Sequence, residues 1–141
     1  MSVFASPCFL RYVLLADAVS CAACGALQVA ATEPVAQLLA LPSALLLETG
    51  LFLLVYAAVV AFVGTRTPVP RTIVGLCIVG NLGWALACVL LLASGTLHPS
   101  AWGTAYVVMQ AVTVVLLAEL QWLGLRQAQP ERILNNERKM A

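Results

Sequence analysis

The chain has 141 residues, of which 62% are hydrophobic and only 9% are charged. Soluble domains carry about a quarter charged residues, so a water-soluble fold of this composition would expose large apolar patches. The net charge of +1 offers no basic surface for nucleic acid, and the composition predicts a protein whose solvent is the lipid bilayer.

Four apolar segments are each long enough to cross a membrane, which takes about 20 residues. The predicted spans cover residues 9–31, 43–64, 72–94 and 101–125. Pro34 ends the first span, and a short amphipathic stretch then leads to Pro42. We therefore predict an all-α membrane protein. Residues 1–126 form a four-helix up-down bundle with sequential helices adjacent, and residues 127–141 form a polar tail.

The basic residues predict the orientation of this bundle. With four spans, the amino-terminal end, the middle loop and the tail lie on one side. They hold all seven basic residues: Arg11, Arg66, Arg71, Arg126, Arg132, Arg138 and Lys139. Positive charge stays on the cytoplasmic side, so we expect both termini in the cytoplasm, in a cell (inner) membrane of bacterial type.

The first span has an alternative interpretation. A signal peptide with its cleavage site would show the same pattern, which consists of Arg11, an apolar run and then Val29-Ala30-Ala31 before Thr32. Asp17 inside the run, and the length of the run, favour a permanent span.

Polar residues inside the spans fall at helical spacing and define candidate sites, because each must recover its lost hydration from a partner. The candidate polar seam consists of Asp17, Gln28, Glu48, Asn81, Trp84 and Gln110. The seam residues of the first span are predicted to face those of the third span, or to face a shared interior. Gly80 and Gly83 beside Asn81 are predicted to let a neighbouring backbone come close. The seam would serve either interhelical packing or a hydrated path.

Asp17 is the most costly of these residues. Arg11 and Arg71 are predicted at the same end of the bundle and could neutralise it, which favours a structural ion pair. A proton-relay role is the alternative. Glu119 points away from the polar face of the fourth span, and it would reach the interface or contact another subunit.

Cys21 and Cys24 form a C-x-x-C pair on one side of the first span. Redox enzymes place this motif at a helix start, whereas here it would lie in mid-span. Thiolates select soft cations, so a metal site is an option beside plain packing. The stretch Ser20–Gly25 resembles the first span of small bacterial mercury-uptake membrane proteins, and that resemblance implies a thiophilic-metal site at Cys21 and Cys24. The chain differs from them in lacking a proline after the pair and a cysteine in the tail.

These observations rank the function classes. No nucleophile, base and orienting group can be assembled, because the single histidine, His98, lies in a loop, and no cofactor is expected. The first expectation is a non-enzymatic membrane scaffold or accessory subunit, partnered by the bilayer and by a second copy or another membrane protein. The alternatives are a small oligomeric transporter or channel, including one for a thiophilic metal, and a membrane thiol-quinone oxidoreductase.

Overall fold

The computed structural model describes residues 8–66 and 68–127, and this part of the chain contains five helices and no strand. They are α1 (Phe9–Ala30), α2 (Thr32–Leu39), α3 (Ser43–Thr65), α4 (Arg71–Ala93) and α5 (Ala101–Gln127). The four long helices match the four predicted spans to within two residues at each end, and the all-α bundle is confirmed. Residues 128–141, most of the predicted polar tail, lie outside the described residues.

The long helices have the length and the surface that a bilayer requires. The shortest, α1, has 22 residues, which corresponds to roughly 33 Å at 1.5 Å per residue. The hydrocarbon core of a bilayer is about 30 Å thick. All four are apolar enough to cross it. Large apolar side chains are exposed on each of them, among them Val19, Val55, Val79 and Met109. The chain is therefore a multi-pass membrane protein.

Proline and serine residues set the helix ends. Pro42 and Pro70 immediately precede α3 and α4, where a missing N–H costs nothing. Pro34 was predicted to end the first span, but it lies in the first turn of α2, and the chain bends earlier, at Ala31. Ser100 caps α5 by accepting a hydrogen bond from the Gly103 N–H at 3.1 Å.

The end of α2 is fastened to the start of α5. Ala40 adopts a left-handed conformation with φ 52°, and the Leu41 N–H returns to the Ala36 carbonyl, a common way to end a helix. The freed carbonyl of Leu39 accepts the Ser100 N–H at 3.0 Å. We call this the His98 end of the bundle, and we call the opposite end, which carries the α3–α4 loop, the Arg66 end.

The helices pack as two close pairs. The closest backbone approaches join α1 to α3 and α4 to α5, and α1 also contacts α5, whereas the backbones of α3 and α4 stay further apart. Gly25 and Gly50 allow the α1–α3 approach, since a Cβ on Gly25 would lie 2.8 Å from the Gly50 carbonyl oxygen. The close approach predicted at Gly80 and Gly83 is wrong. A Cβ on Gly83 would have nothing within 4 Å, because that face of α4 points outward.

Candidate functional site

A single carboxyl group lies at the centre of the bundle. The side chain of Asp17 is 0% exposed and accepts four hydrogen bonds. Gln121 Nε2 lies 2.7 Å from Asp17 Oδ2, and Asn81 Nδ2 lies 3.0 Å from the same oxygen. The Tyr56 hydroxyl donates to Oδ2 at 3.3 Å, and the Cys21 thiol donates to Oδ1 at 3.5 Å.

These donors come from all four spanning helices, and we call Asp17, Cys21, Tyr56, Asn81 and Gln121 the Asp17 layer. Cys21 belongs to α1 with Asp17, and the other three belong to α3, α4 and α5. The helices alternate in direction, and each of these residues other than Cys21 lies six to ten residues from the Arg66 end of its helix. Similar depth therefore brings them together, and one carboxyl links every span.

The partners of Asp17 correct the ion pair predicted from the sequence. All four groups that donate to the carboxyl are neutral, and neither Arg11 nor Arg71 is among them. Arg11 instead donates from Nε to the carbonyl of Gly64 at 3.1 Å. That carbonyl is at the end of α3, where backbone acceptors have no intrahelical donor. Arg11 therefore binds the end of α3 and not the carboxylate of Asp17, which was its predicted partner.

Gln121 holds an unusual position in the Asp17 layer. Its side chain is 0% exposed and its amide nitrogen is bonded to Asp17, but its Oε1 has no hydrogen-bond partner. Orphaned buried polar atoms are rare in native structures. Gln121 is not a member of the predicted seam. Gln121 lies at a depth similar to that of Asp17, and a comparison of depths would have added Gln121 to the predicted seam.

A second set of polar side chains lies nearer the His98 end, and we call it the Gln28 layer. Gln28 Nε2 donates to the Tyr106 hydroxyl at 2.6 Å, and Thr49 Oγ1 donates to Gln28 Oε1 at 3.0 Å. In the same region the indole of Trp84 donates to Gln110 Oε1 at 3.0 Å. These five residues again come from all four spanning helices. The tyrosines of both layers, and Thr49, were absent from the predicted seam.

The structure divides the predicted seam into these two layers and leaves one member out. Asp17 and Asn81 meet in the first layer, and Gln28, Trp84 and Gln110 belong to the second. Glu48 is exposed on α3 and takes part in neither layer. Its neighbour Thr49 reaches Gln28 instead, because the next residue along a helix faces a direction about 100° away. The prediction that the stripes of the first and third spans face each other is confirmed by the bond between Asn81 and Asp17.

The cysteine pair lies in packed surroundings. Cys21 is buried against Leu53 and Ala57 of α3, its thiol is bonded to Asp17, and Cys24 is half-buried beside the same cluster. Within the described part of the chain, no three His, Cys, Asp or Glu side chains are grouped so that they could hold a metal ion. A metal at this place would have to be bound by the two thiols alone, because the Asp17 carboxyl is already hydrogen-bonded to donors from all four spans.

Comparison with known protein families, with curated proteins and with solved structures gives no match for this chain. The geometry of the two layers is therefore the basis for a functional proposal.

Proposed function

We propose that the chain is a non-enzymatic subunit of a membrane assembly, a rigid four-span scaffold whose outer faces bind a second copy or another membrane protein. The observation that carries the proposal is the Asp17 carboxyl, fully buried and bonded to donors from all four spans. A group that moved ions or protons would need a path to water. A group committed to four partners inside a packed core holds helices in register.

The separation of the two layers supports this proposal over transport. A transporter would be favoured if Asp17, Asn81, Gln110 and Glu48 converged on one hydrated cavity. The cavity that Gln110 lines is bordered by neither Asp17 nor Asn81, and Glu48 is exposed on the outside of α3. Asp17, Asn81 and Gln110 instead each have a hydrogen-bond partner on another helix.

Glu119 and Glu48 support an interaction with another membrane chain. Both are exposed although both lie inside spanning helices. Glu119 is eight residues before the end of α5, roughly 12 Å along the axis at 1.5 Å per residue. Intramembrane carboxyl groups normally face a protein interior or a partner, so the exposed position of Glu119 favours a second chain against this face.

We expect site-directed photo-crosslinking to detect that chain in native membranes. A photoreactive residue at position 123, one turn from Glu119, should give a crosslinked product. The substitution Glu119→Leu should abolish the product, because it removes the polar contact and makes the face suited to lipid. A photoreactive residue at position 19, exposed on α1, serves as the control and should give none. A position-123 product that is absent, or that survives Glu119→Leu, would contradict the proposal.

For orientation, we propose a bacterial inner membrane with both termini in the cytoplasm, supported by the seven basic residues on one side of the four spans. An alkaline phosphatase reporter inserted after Gly95 should be active, since that loop would face the periplasm. The same reporter inserted after Arg66 should be inactive. The reverse pattern of activities would contradict this orientation.

A further inference from the structure

A cavity of about 170 Å³ lies in the half of the bundle toward the His98 end. Its walls come from the carboxyl-terminal end of α1, from Leu41, and from α3, α4 and α5. Half of the wall residues are aliphatic, namely Leu41, Leu45, Leu46, Ala87, Leu91 and Val107, and nearly all of the exposed wall surface is apolar. The Gln28 layer borders the cavity on the side of the bundle centre.

The polar residues at this border contribute little to the surface that an occupant would meet. The amide of Gln28 accepts a hydrogen bond from Thr49 through its oxygen and donates one to Tyr106 through its nitrogen. The Trp84 N–H is taken by Gln110. A polar occupant would find few partners on a wall whose exposed surface is almost entirely apolar, whereas an apolar occupant needs none. The chemistry of the wall therefore selects hydrocarbon.

The cavity is not enclosed, and the gap between α3 and α4 is the opening that the packing of the helices leaves for it. These are the sequential helices whose backbones stay apart, and they meet through side chains, with Phe52 stacked on Trp84 at 5.7 Å between ring centroids. Ala87 of α4 both lines the cavity and is exposed, so the opening passes it. One turn away, a Cβ on Gly83 would meet nothing within 4 Å. Small residues on α4 thus leave the mouth of the cavity free.

The medium at that mouth is the bilayer. Apolar cavities of about this size, roughly 150 Å³, stay free of water and take up small apolar groups. An empty cavity leaves its lining without dispersion contacts, and the abundant hydrocarbon beside α3 and α4 is the acyl chain of a membrane lipid. We propose that this cavity is a binding site for a segment of a phospholipid acyl chain, which enters laterally between α3 and α4.

Trp84 is a natural reporter of the occupant, because it lines the cavity. In a Trp102→Phe, Trp122→Phe background, which removes two exposed tryptophans, Trp84 is the last of the three in the chain. We expect reconstitution into phosphatidylcholine with dibrominated acyl chains to quench more than about half of the Trp84 emission, because a bound chain would contact the ring.

Filling the mouth separates a bound chain from lipid that merely surrounds the protein. Ala87→Phe should restore most of the Trp84 emission in brominated lipid, and Ala87→Leu provides a smaller filler if the phenylalanine variant does not fold. Ala58→Phe, at an exposed position of α3 that does not line the cavity, should leave the quenching unchanged.

Three results would overturn the proposal. The first is an absence of quenching, which would mean that the cavity is empty or filled by protein. The second is equal quenching in the Ala87 and Ala58 variants, which would mean that Trp84 senses only surrounding lipid. The third is quenching by a free dibromoalkane and not by the brominated phospholipid, which would assign the site to a small apolar molecule.

Discussion

Replacing Asp17 by alanine is expected to lower the free energy of unfolding by about 3 kcal/mol or more, because three donors each lose their acceptor at a cost of about 1 kcal/mol or more apiece. The change leaves Tyr56, Asn81 and Gln121 without their shared acceptor, at a depth where lipid offers no substitute. It also leaves a space where a carboxyl group was packed. Reversible unfolding in mixed micelles, followed by circular dichroism, measures the loss.

Asp17→Asn is the matched control, and its expected cost is about 1 kcal/mol. Asparagine has nearly the same shape, and with its oxygen in the place of Oδ2 it keeps the acceptor that Tyr56, Asn81 and Gln121 share. Only the bond from the Cys21 thiol to Oδ1 is then lost. Equal losses for the alanine and asparagine variants would show that the hydrogen bonds of the Asp17 layer contribute little. An alanine variant as stable as the wild type would show that the Asp17 layer does not stabilise the bundle.

Gly25→Ala is expected to destabilise the bundle by about 2 kcal/mol through steric overlap. The new Cβ would lie 2.8 Å from the Gly50 carbonyl oxygen and 3.0 Å from Leu54 Cγ. The first of these atoms belongs to the backbone of α3 and cannot turn away, so α1 and α3 must separate. Because Gln28 of α1 is bonded to Thr49 of α3, the separation also strains the Gln28 layer. The same unfolding experiment gives the size of the loss.

Gly75→Ala supplies the comparison for this prediction. A Cβ at position 75 would meet nothing within 4 Å. Both substitutions, Gly75→Ala and Gly25→Ala, gain up to about 1 kcal/mol in helix propensity. The difference between the two variants therefore isolates the α1–α3 contact. If both variants are equally stable, then the helices are not in close contact at Gly25.

Much of this fold could be predicted from the sequence because lipid imposes strong rules. A run of about 20 apolar residues has few alternatives to a spanning helix, and Pro42 and Pro70 mark helix starts. Helical spacing also placed Asp17 and Asn81 on faces that meet. The relative depth of residues on antiparallel helices was equally available, and it would have joined Gln121 and Tyr56 to Asp17.

Other features depend on packing that spacing does not define. All the glycines in a span look alike in sequence, but Gly25 touches the backbone of α3 while Gly83 faces outward. Which pairs of helices approach closely decides this difference. The same is true of Arg11, which was expected to neutralise Asp17 from the same end of the bundle. Its guanidinium lies closer to the end of α3, and the carboxyl finds neutral donors instead.

The accessibility of the Cys21 thiol tests most directly whether the centre of the bundle is a closed structural lock. This thiol is bonded to Asp17 and only 7% exposed, so it reports on water beside the carboxyl. In a variant with the other four cysteines replaced by alanine, a water-soluble thiol reagent should not label Cys21 until the protein is denatured. A cysteine placed at Thr96, exposed in the α4–α5 loop, should react at once. Rapid labelling of Cys21 in the folded protein would reveal a hydrated path to Asp17, and it would contradict the scaffold.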